Sequence, residues 1–136
     1  MKLKNHTEYI YPNLTHRFVV DLDGIPKSLI KGFSNPECYY EDKKLKWKPI
    51  TIELYSFSNP SAEKIVLKAL DNWVHLNEGY IPAFLVENIS TSGEPNSVLD
   101  MSHSKLVSVD FGVYNWSVTE LRLIKIVVQP NTVKVL

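Results

Sequence analysis

The sequence predicts a mainly antiparallel β fold, a barrel or a sandwich, flanked by one α-helix. Most apolar segments alternate with polar residues at every second position, as a strand with one covered face requires, and residues 49–57 show this best. A different period marks residues 60–77, where apolar side chains recur at the three- and four-residue spacing of a helix. These helix positions are Ala62, Ile65, Val66, Ala69, Leu70, Trp73 and Val74. We therefore expect one β domain over residues 15–136, preceded by an N-terminal arm, 1–14, that has no clear period.

The first part of the domain is predicted to contain short strands separated by turns. Residues 17–22 alternate as a first strand. Asp23-Gly24 is a typical two-residue hairpin turn, so residues 25–33 are expected to return beside that strand. A short strand is predicted at 37–40, and the charged segment 41–48 is interpreted as an exposed turn rather than a nucleic-acid patch.

The second part is predicted to start with the helix and to end in a sheet. Asn59 suits the N-cap of the helix, and Pro60 suits the first helical position, where its missing N–H costs nothing. A strand is expected at 81–89, followed by a surface loop at 90–97 that is rich in turn-forming residues. Three further strands complete the predicted domain: 107–114, 121–128 and 132–136.

Charge and cysteine content limit the kinds of partner and site that we expect. Fifteen basic and fifteen acidic side chains cancel in a chain of 136 residues, which gives no support for nucleic acid or an anionic membrane as the main partner. A net charge near zero favours contact between copies. Cys38 is the one cysteine, so no intramolecular disulfide can form and no cysteine-based metal site is expected. Neither a signal peptide nor a membrane-spanning run is visible, so we expect synthesis inside the cell.

No group of residues has the spacing of a catalytic, cofactor or metal site. The four histidines lack the short repeats that metal ligands show. The sequence contains no nucleophile elbow and no glycine-rich phosphate loop, and five glycines in the whole chain argue against a nucleotide cradle. We therefore predict that the protein is not an enzyme and has no catalytic residue, no cofactor and no metal.

Three local sequences, and the order of the elements around them, resemble one known family. The first is W-K-P-I-T-I-E-L-Y at Trp47–Tyr55, the second is the helix that closes on Asp71-Asn72-Trp73, and the third is D-F-G-V-Y at Asp110–Tyr114. Over residues 15–136 this order resembles the tail-tube family of contractile-tailed bacteriophages, which includes the myovirus tube protein and related tube-initiator and baseplate proteins.

The resemblance implies a structural protein of the virion tail. In that family, six copies join edge to edge into a ring whose strands close an inner barrel, and the rings stack into a tube. The tube delivers DNA, which passes through the lumen without specific binding. The implied partners are further copies of the chain and the tail sheath, tape-measure and baseplate proteins, with no membrane involved. Assembly is expected in the host cytoplasm.

The resemblance also implies two sets of assembly residues. In this family a long hairpin loop, here about 34–48, typically reaches the neighbouring ring. Inter-ring contacts are accordingly expected at Tyr39, Tyr40, Lys43, Lys44 and Trp47. The polar face of residues 107–114 suits a wet lumen, and Ser108 and Asp110 are expected to face it.

Two other interpretations of the sequence stay open. A tube-initiator or baseplate protein, or the injection tube of a type VI system, would share the architecture of the phage tube. A small β-barrel that binds an apolar ligand in its interior, as lipocalins do, would also combine strands with one amphipathic helix.

Overall fold

The computed structural model describes residues 18–58, 61–89, 95–117 and 121–136. Ten strands and one helix follow each other along these residues. The strands are β1 (Phe18–Leu22), β2 (Ile30–Phe33), β3 (Cys38–Glu41), β4 (Lys44–Trp47), β5 (Ile50–Tyr55), β6 (Phe84–Ile89), β7 (Pro95–Asp100), β8 (Lys105–Asp110), β9 (Leu123–Gln129) and β10 (Lys134–Val135). The helix, α1 (Ala62–Asp71), continues into one wider π turn at Asn72–Leu76, and a short 3₁₀ turn lies at Lys27–Leu29.

Two four-stranded antiparallel sheets form a sandwich, and a two-stranded hairpin is attached to it. One sheet has the strand order β1-β6-β7-β10 and the other β2-β5-β9-β8, while β3 and β4 form the hairpin. Neither sheet closes on itself within the described residues, so the predicted β fold with one helix is confirmed as a sandwich rather than a closed barrel. The largest fully buried side chains come from both sheets, the helix and the loops between them: Trp73, Phe84, Leu22, Ile50, Ile52, Leu54, Ile81, Met101, Ile124, Ile126, Val66 and Val86.

Helix α1 buries the apolar stripe that the sequence predicts, with one exception. Four residues of the stripe are fully buried and two more pack partly against the core: Ala62, Val66, Ala69 and Trp73, then Ile65 and Leu70. Val74 is instead 48% exposed. The prediction is wrong at this position because the π turn contains one residue more than an α-helical turn, which rotates Val74 away from the stripe.

The helix begins two residues later than predicted. Ser61, not Asn59, is its N-cap, and the Ser61 hydroxyl accepts a hydrogen bond from the backbone N–H of Lys64 at 3.4 Å. Residues 59 and 60 lie outside the described residues, as does the predicted N-terminal arm, 1–14. The division into arm and domain therefore stays a prediction.

The Asp23-Gly24 turn is present, but the strand pairing predicted across it is wrong. Gly24 has a φ of +76°, and Leu22 forms an isolated bridge with Ile25. Beyond that bridge the chain passes through the 3₁₀ turn into the other sheet, so β1 pairs with β6 and β2 pairs with β5. Helix α1 packs against the turn, since a Cβ on Gly24 would lie 3.2 Å from Cβ of Ala69. The Asp23-Gly24 motif thus predicted the chain reversal correctly, but not which strand the following segment pairs with.

Three other segments differ from the prediction. Residues 41–48 are not only a turn, because β4 completes a hairpin with β3. Residues 95–97, assigned to the loop 90–97, open β7, whose ladder with β6 overrides their turn-like composition; residues 90–94 lie outside the described part. The strand predicted at 107–114 ends at Asp110. A bulge at Val107, between two residues that pair with β9, leaves this side chain 57% exposed instead of facing the core.

Candidate assembly surfaces

The sheet β2-β5-β9-β8 has an outer face and two edge strands that pair with no further strand of the described residues. At the start of β8, however, Leu106 donates its backbone N–H to the carbonyl oxygen of Gly79, and Lys105 forms a bridge with Tyr80, so the open part of this edge is 107–110. The inner face of the sheet lies in the core, where alternate residues of β5 and β9 are fully buried. All three strand pairs are antiparallel, so the two edge strands, β2 and β8, run in opposite directions. Uncovered edge strands carry rows of backbone N–H and C=O groups that can pair with another chain. This sheet is therefore the first candidate for assembly.

A row of four charges crosses the outer face of this sheet. Glu53 lies opposite Lys125, and Lys125 lies opposite Asp110. Lys31 extends the row on β2, where its Nζ lies 3.9 Å from Oε1 of Glu53. From β2 to β8 the row is positive, negative, positive, negative. Opposite charges on neighbouring strands favour this register over a slipped one, and the row carries no net charge.

Both residues predicted to face the lumen lie on this outer face. Ser108 is opposite Val127 and Asp110 is opposite Lys125, and both predicted residues are exposed. The carboxylate of Asp110 is held at the end of β8, because its Oδ1 accepts a hydrogen bond from the amide of Gly112 at 2.8 Å. Ser108 and Asp110 thus share one polar surface, and its facing a channel stays a prediction.

The hairpin formed by β3 and β4 exposes an apolar face. Cys38 lies opposite Trp47 and Tyr40 opposite Leu45, and residues two apart on a strand point to the same side. Tyr40 is 72% and Leu45 65% exposed, Cys38 is exposed and Trp47 is half-buried. We name these four residues the hairpin apolar face. Exposed apolar side chains gathered in this way are typical of a surface that a partner covers.

The opposite side of the hairpin is charged. Lys46 lies between two carboxylates, with its Nζ 3.1 Å from Oε1 of Glu41 and 3.5 Å from Oδ2 of Asp42. Tyr39 and Lys44 lie on this side, opposite Lys46 and Glu41 respectively. These ion pairs are exposed and contribute little to stability, but they orient the hairpin by making its two sides chemically different.

The five residues predicted as inter-ring contacts therefore do not form one surface. Tyr40 and Trp47 belong to the hairpin apolar face, whereas Tyr39 and Lys44 lie on the charged side. Lys43 lies in the connecting turn with a φ of +63°. Which side meets a neighbouring ring stays a prediction.

Hydrogen bonds at its base fix the hairpin to the sandwich. Gln129 donates from Nε2 to the carbonyl oxygen of Trp47 at 2.6 Å, which connects β4 to the end of β9. Lys48 donates its backbone N–H to the carbonyl oxygen of Glu37 at 2.9 Å. The two side chains also form an ion pair, and their hydrogen bond raises the pKa of Lys48. The hairpin apolar face is thus held in a defined position.

Arg122 connects three parts of the fold, a role that no sequence pattern indicated. Its Nη2 donates to Oε1 of Glu63 at 2.6 Å and to Oγ of Ser56 at 3.0 Å. Its guanidinium carbon lies 4.1 Å from the ring centre of Tyr114, a cation–π contact. These contacts join the start of α1, the end of β5 and the segment after β8. Glu63 is 59 residues away from Arg122 in the chain, a separation that no spacing rule could detect.

We expect Glu63→Gln to destabilise the protein in a pH-dependent way. The hydrogen bond from Ser56 has the largest effect on the pKa of Glu63 and lowers it below its ordinary value of 4.5, and the hydrogen bond from Arg122 lowers it further. A lowered folded pKa gives stability that is present above the unfolded pKa and is lost as the pH falls through the folded one. The free energy of unfolding of the variant should be about 1–2 kcal/mol lower than that of the unmodified protein at pH 7. This difference should shrink below about pH 4.5.

Urea unfolding at a series of pH values measures this difference. The matched control is Glu78→Gln, which removes an exposed carboxylate near the other end of the helix. A constant gap between Glu63→Gln and the unmodified protein from pH 7 to pH 3 would contradict the assigned role of Glu63.

Within the described ranges, no three His, Cys, Asp or Glu side chains come together as metal ligands would. In the same part of the chain, no helix is long and apolar enough to cross a membrane.

Solved structures with the same architecture include components of contractile injection systems. A chain in the extended-state sheath–tube complex of PVC, an extracellular contractile injection system, superposes with a TM-score of 0.65. The match covers 97% of this chain and 96% of the other at 15% identity. The chain has a tail-tube fold. The fold that the sequence resemblance implied is therefore confirmed.

The tail-tube fold is also found in two other parts of such machines. A chain in the anti-feeding prophage tube-terminating cap matches with a TM-score of 0.62 at 15% identity, covering 93% of this chain and 91% of the other. A chain in the six-fold symmetrised anti-feeding prophage baseplate matches with a TM-score of 0.60 at 15% identity, covering 93% and 96%. The sequence matches no family model and no curated protein. Because one fold occurs in tube, cap and baseplate structures, the role of this chain has to be argued from its surfaces.

Proposed function

We propose that this chain is a structural protein of a contractile tail, in which six copies form a ring and the rings stack into a tube that delivers DNA. The observation that carries this proposal is the sheet β2-β5-β9-β8, with its polar outer face and two edges, β2 and residues 107–110 of β8, that pair with no further strand of the described residues. Edge pairing around a ring removes those edges, and a head-to-tail contact that closes gives a ring. The six-fold symmetry of the baseplate that contains the same fold supports a ring of six.

The outer face of that sheet lines the channel in this proposal. Its charge row has as many positive as negative side chains, so it offers no excess of lysine or arginine to hold DNA phosphates. Ser108 and Asp110 add polar groups that water can solvate. A hydrated surface without net charge does not retain DNA, so DNA can pass along it.

The hairpin apolar face provides the contact between stacked rings. Its exposed Tyr40 and Leu45 lie on an element that hydrogen bonds hold in place at its base. Ring-on-ring contacts repeat without closing, which is what makes a tube rather than a single ring. In the assembled tail the proposed partners are the sheath, tape-measure and baseplate proteins, and assembly takes place in the host cytoplasm before the virion is complete.

A second candidate is a ring at one end of the tube. It is favoured by the occurrence of the same fold in cap and baseplate structures. A type VI-like injection tube would use the same surfaces. An interior ligand site of the lipocalin kind requires a closed barrel around the ligand, whereas the described strands form two open sheets packed on a common apolar core.

Negative-stain electron microscopy with light scattering over a concentration series tests the proposal. We expect rings with a central channel that lengthen into tubes as the concentration rises. Rings that never stack would favour the end-ring candidate, and a monomer at every concentration would contradict both.

Two double variants test the stacking surface. Tyr40→Ser with Leu45→Ser removes the two large, strongly exposed side chains of the hairpin apolar face and should leave single rings, because stacking loses its apolar contact. Tyr39→Ser with Lys44→Ser changes as many residues on the charged side of the same hairpin and should leave tubes intact. Equal tube lengths in both variants would exclude the hairpin apolar face as the stacking contact.

A further inference from the structure

The β2 edge of the sheet β2-β5-β9-β8 and the open part of its β8 edge, residues 107–110, are complementary in charge. The charge row starts with Lys31 on β2 and ends with Asp110 on β8. A second copy placed beside the first in the same orientation brings the β8 edge of one against the β2 edge of the other. The alternation of signs then continues without interruption from copy to copy.

We propose that β8 of one copy pairs antiparallel with β2 of the next, and that Asp110 of the first copy and Lys31 of the second form the ion pair that sets the register. This inference rests on the proposed ring and specifies its contact. The strand directions agree with it, because β2 and β8 run in opposite directions within one copy. Asp110 is fixed for this role by the hydrogen bond that it accepts from Gly112.

The same charges disfavour the competing ways of joining two copies. A contact of β2 with β2 places Lys31 against Lys31, and a contact of β8 with β8 places Asp110 against Asp110. Like charges that face each other across an interface are repulsive and suppress the wrong partner. A two-fold contact uses the same edge of both copies and leaves two identical edges, whereas the head-to-tail contact leaves one edge of each kind until the ring closes.

The shapes of the two edges agree with the same contact. Beside β2 lies a cleft of about 520 Å³ whose walls include Phe18, Gly32 and Phe33, and a second of about 340 Å³ lies between β1 and β2. On β8 the bulged Val107 is 57% exposed. A raised apolar residue at one edge and an apolar hollow at the other fit each other between copies.

Both edge strands also carry the distortion that a closed ring of strands requires. Register shifts occur at Lys31 in β2 and at Val107 in β8, whereas the central pair β5 and β9 is regular. Bulges bend a strand and increase its twist, and closure of a sheet into a barrel depends on such curvature. The irregular positions are therefore located where one copy would join the next.

Charge reversal tests the proposed pair. Lys31→Glu and Asp110→Lys should each raise the protein concentration needed for ring formation about tenfold or more, since each puts like charges across the contact. The double variant should return this concentration to within about threefold of the unmodified protein. Within one copy the two residues lie on opposite edges of the sheet, so recovery in the double variant can arise only between copies. The control, Lys64→Glu, reverses an exposed charge on the helix and should leave assembly unchanged.

Disulfide trapping gives a second, geometric readout. In a Cys38→Ser background, Lys31→Cys and Asp110→Cys variants are mixed and oxidised, and covalent dimers are expected from the mixture in excess over either variant alone. Rings in the unmodified protein, together with no recovery in the charge-swapped double variant and no excess of mixed dimers, would overturn this contact while leaving the proposed function intact. An unmodified protein that forms no rings at any concentration would overturn the proposed function, and this contact with it.

Discussion

Replacing Trp73 with alanine should reduce the free energy of unfolding by about 4 kcal/mol, the largest effect that we expect from one substitution. Trp73 is fully buried where α1 passes into the π turn, against the core between the sheets. Truncation removes the apolar area of the indole and leaves a cavity that the neighbouring side chains fill only in part. A domain of this size has about 5–15 kcal/mol of stability in total, so the variant should be close to unfolding at 37 °C.

Part of this loss is polar. The indole Nε1 of Trp73 donates a hydrogen bond to Oδ2 of Asp23 at 3.1 Å, which ties the π turn to the turn after β1. Trp73→Phe keeps most of the ring but lacks the N–H, so it should cost about 1–2 kcal/mol. Asp23→Ala should cost a similar amount because it leaves the indole N–H without this acceptor.

Trp116 provides the matched control for these substitutions. It is fully exposed, with a relative exposure of 106%, so Trp116→Ala should change the unfolding free energy by less than about 0.5 kcal/mol. Urea unfolding followed by far-ultraviolet circular dichroism compares the variants without relying on tryptophan fluorescence. If Trp73→Ala and Trp116→Ala lay within 1 kcal/mol of each other, the described packing of Trp73 would be wrong.

The features predicted correctly from the sequence are those that repeat locally. Ile50, Ile52 and Leu54 alternate in the sequence and are all fully buried on β5, because the period of a strand sets which side of the sheet each residue occupies. The apolar stripe of the helix was correct until Trp73 for the same reason. After Trp73 the π turn changes the period, and no sequence pattern indicated that change.

The features that were missed depend on contacts between distant residues. β1 pairs with β6, with Val20 opposite Val86, whereas residues 25–33 were predicted to pair with β1. A turn at Asp23-Gly24 is compatible with either pairing. The contact of Arg122 with Glu63 and the charge row from Lys31 to Asp110 exist only after four strands and a helix have been placed side by side. Of the candidate assembly residues, the sequence could indicate polarity and position along the chain, but not which of them share a surface.

Gly112→Ala should be the second most destabilising change, with an expected loss of about 3 kcal/mol in unfolding free energy. Two effects add at this position. Gly112 has a φ of +94°, a conformation that costs an L-residue with a side chain about 1–2 kcal/mol. A Cβ there would also overlap Cγ of Arg122 and lie 2.8 Å from the carbonyl oxygen of Leu123. Arg122 would have to move, which weakens its contacts with Glu63 and Ser56.

Two other glycines separate the two effects in one experiment. Gly79 has a φ of +87° with no atom within 4 Å of the added Cβ, so Gly79→Ala should show the backbone penalty alone, about 1 kcal/mol. Gly32 has neither a positive φ nor a close neighbour, so Gly32→Ala should lie within about 0.5 kcal/mol of the unmodified protein. The expected order of stability is Gly32→Ala, Gly79→Ala, then Gly112→Ala, measured by urea unfolding at one protein concentration. If Gly112→Ala matched Gly79→Ala, the close approach of Arg122 to this segment would contribute nothing, and the three-way connection through Arg122 would lose its support.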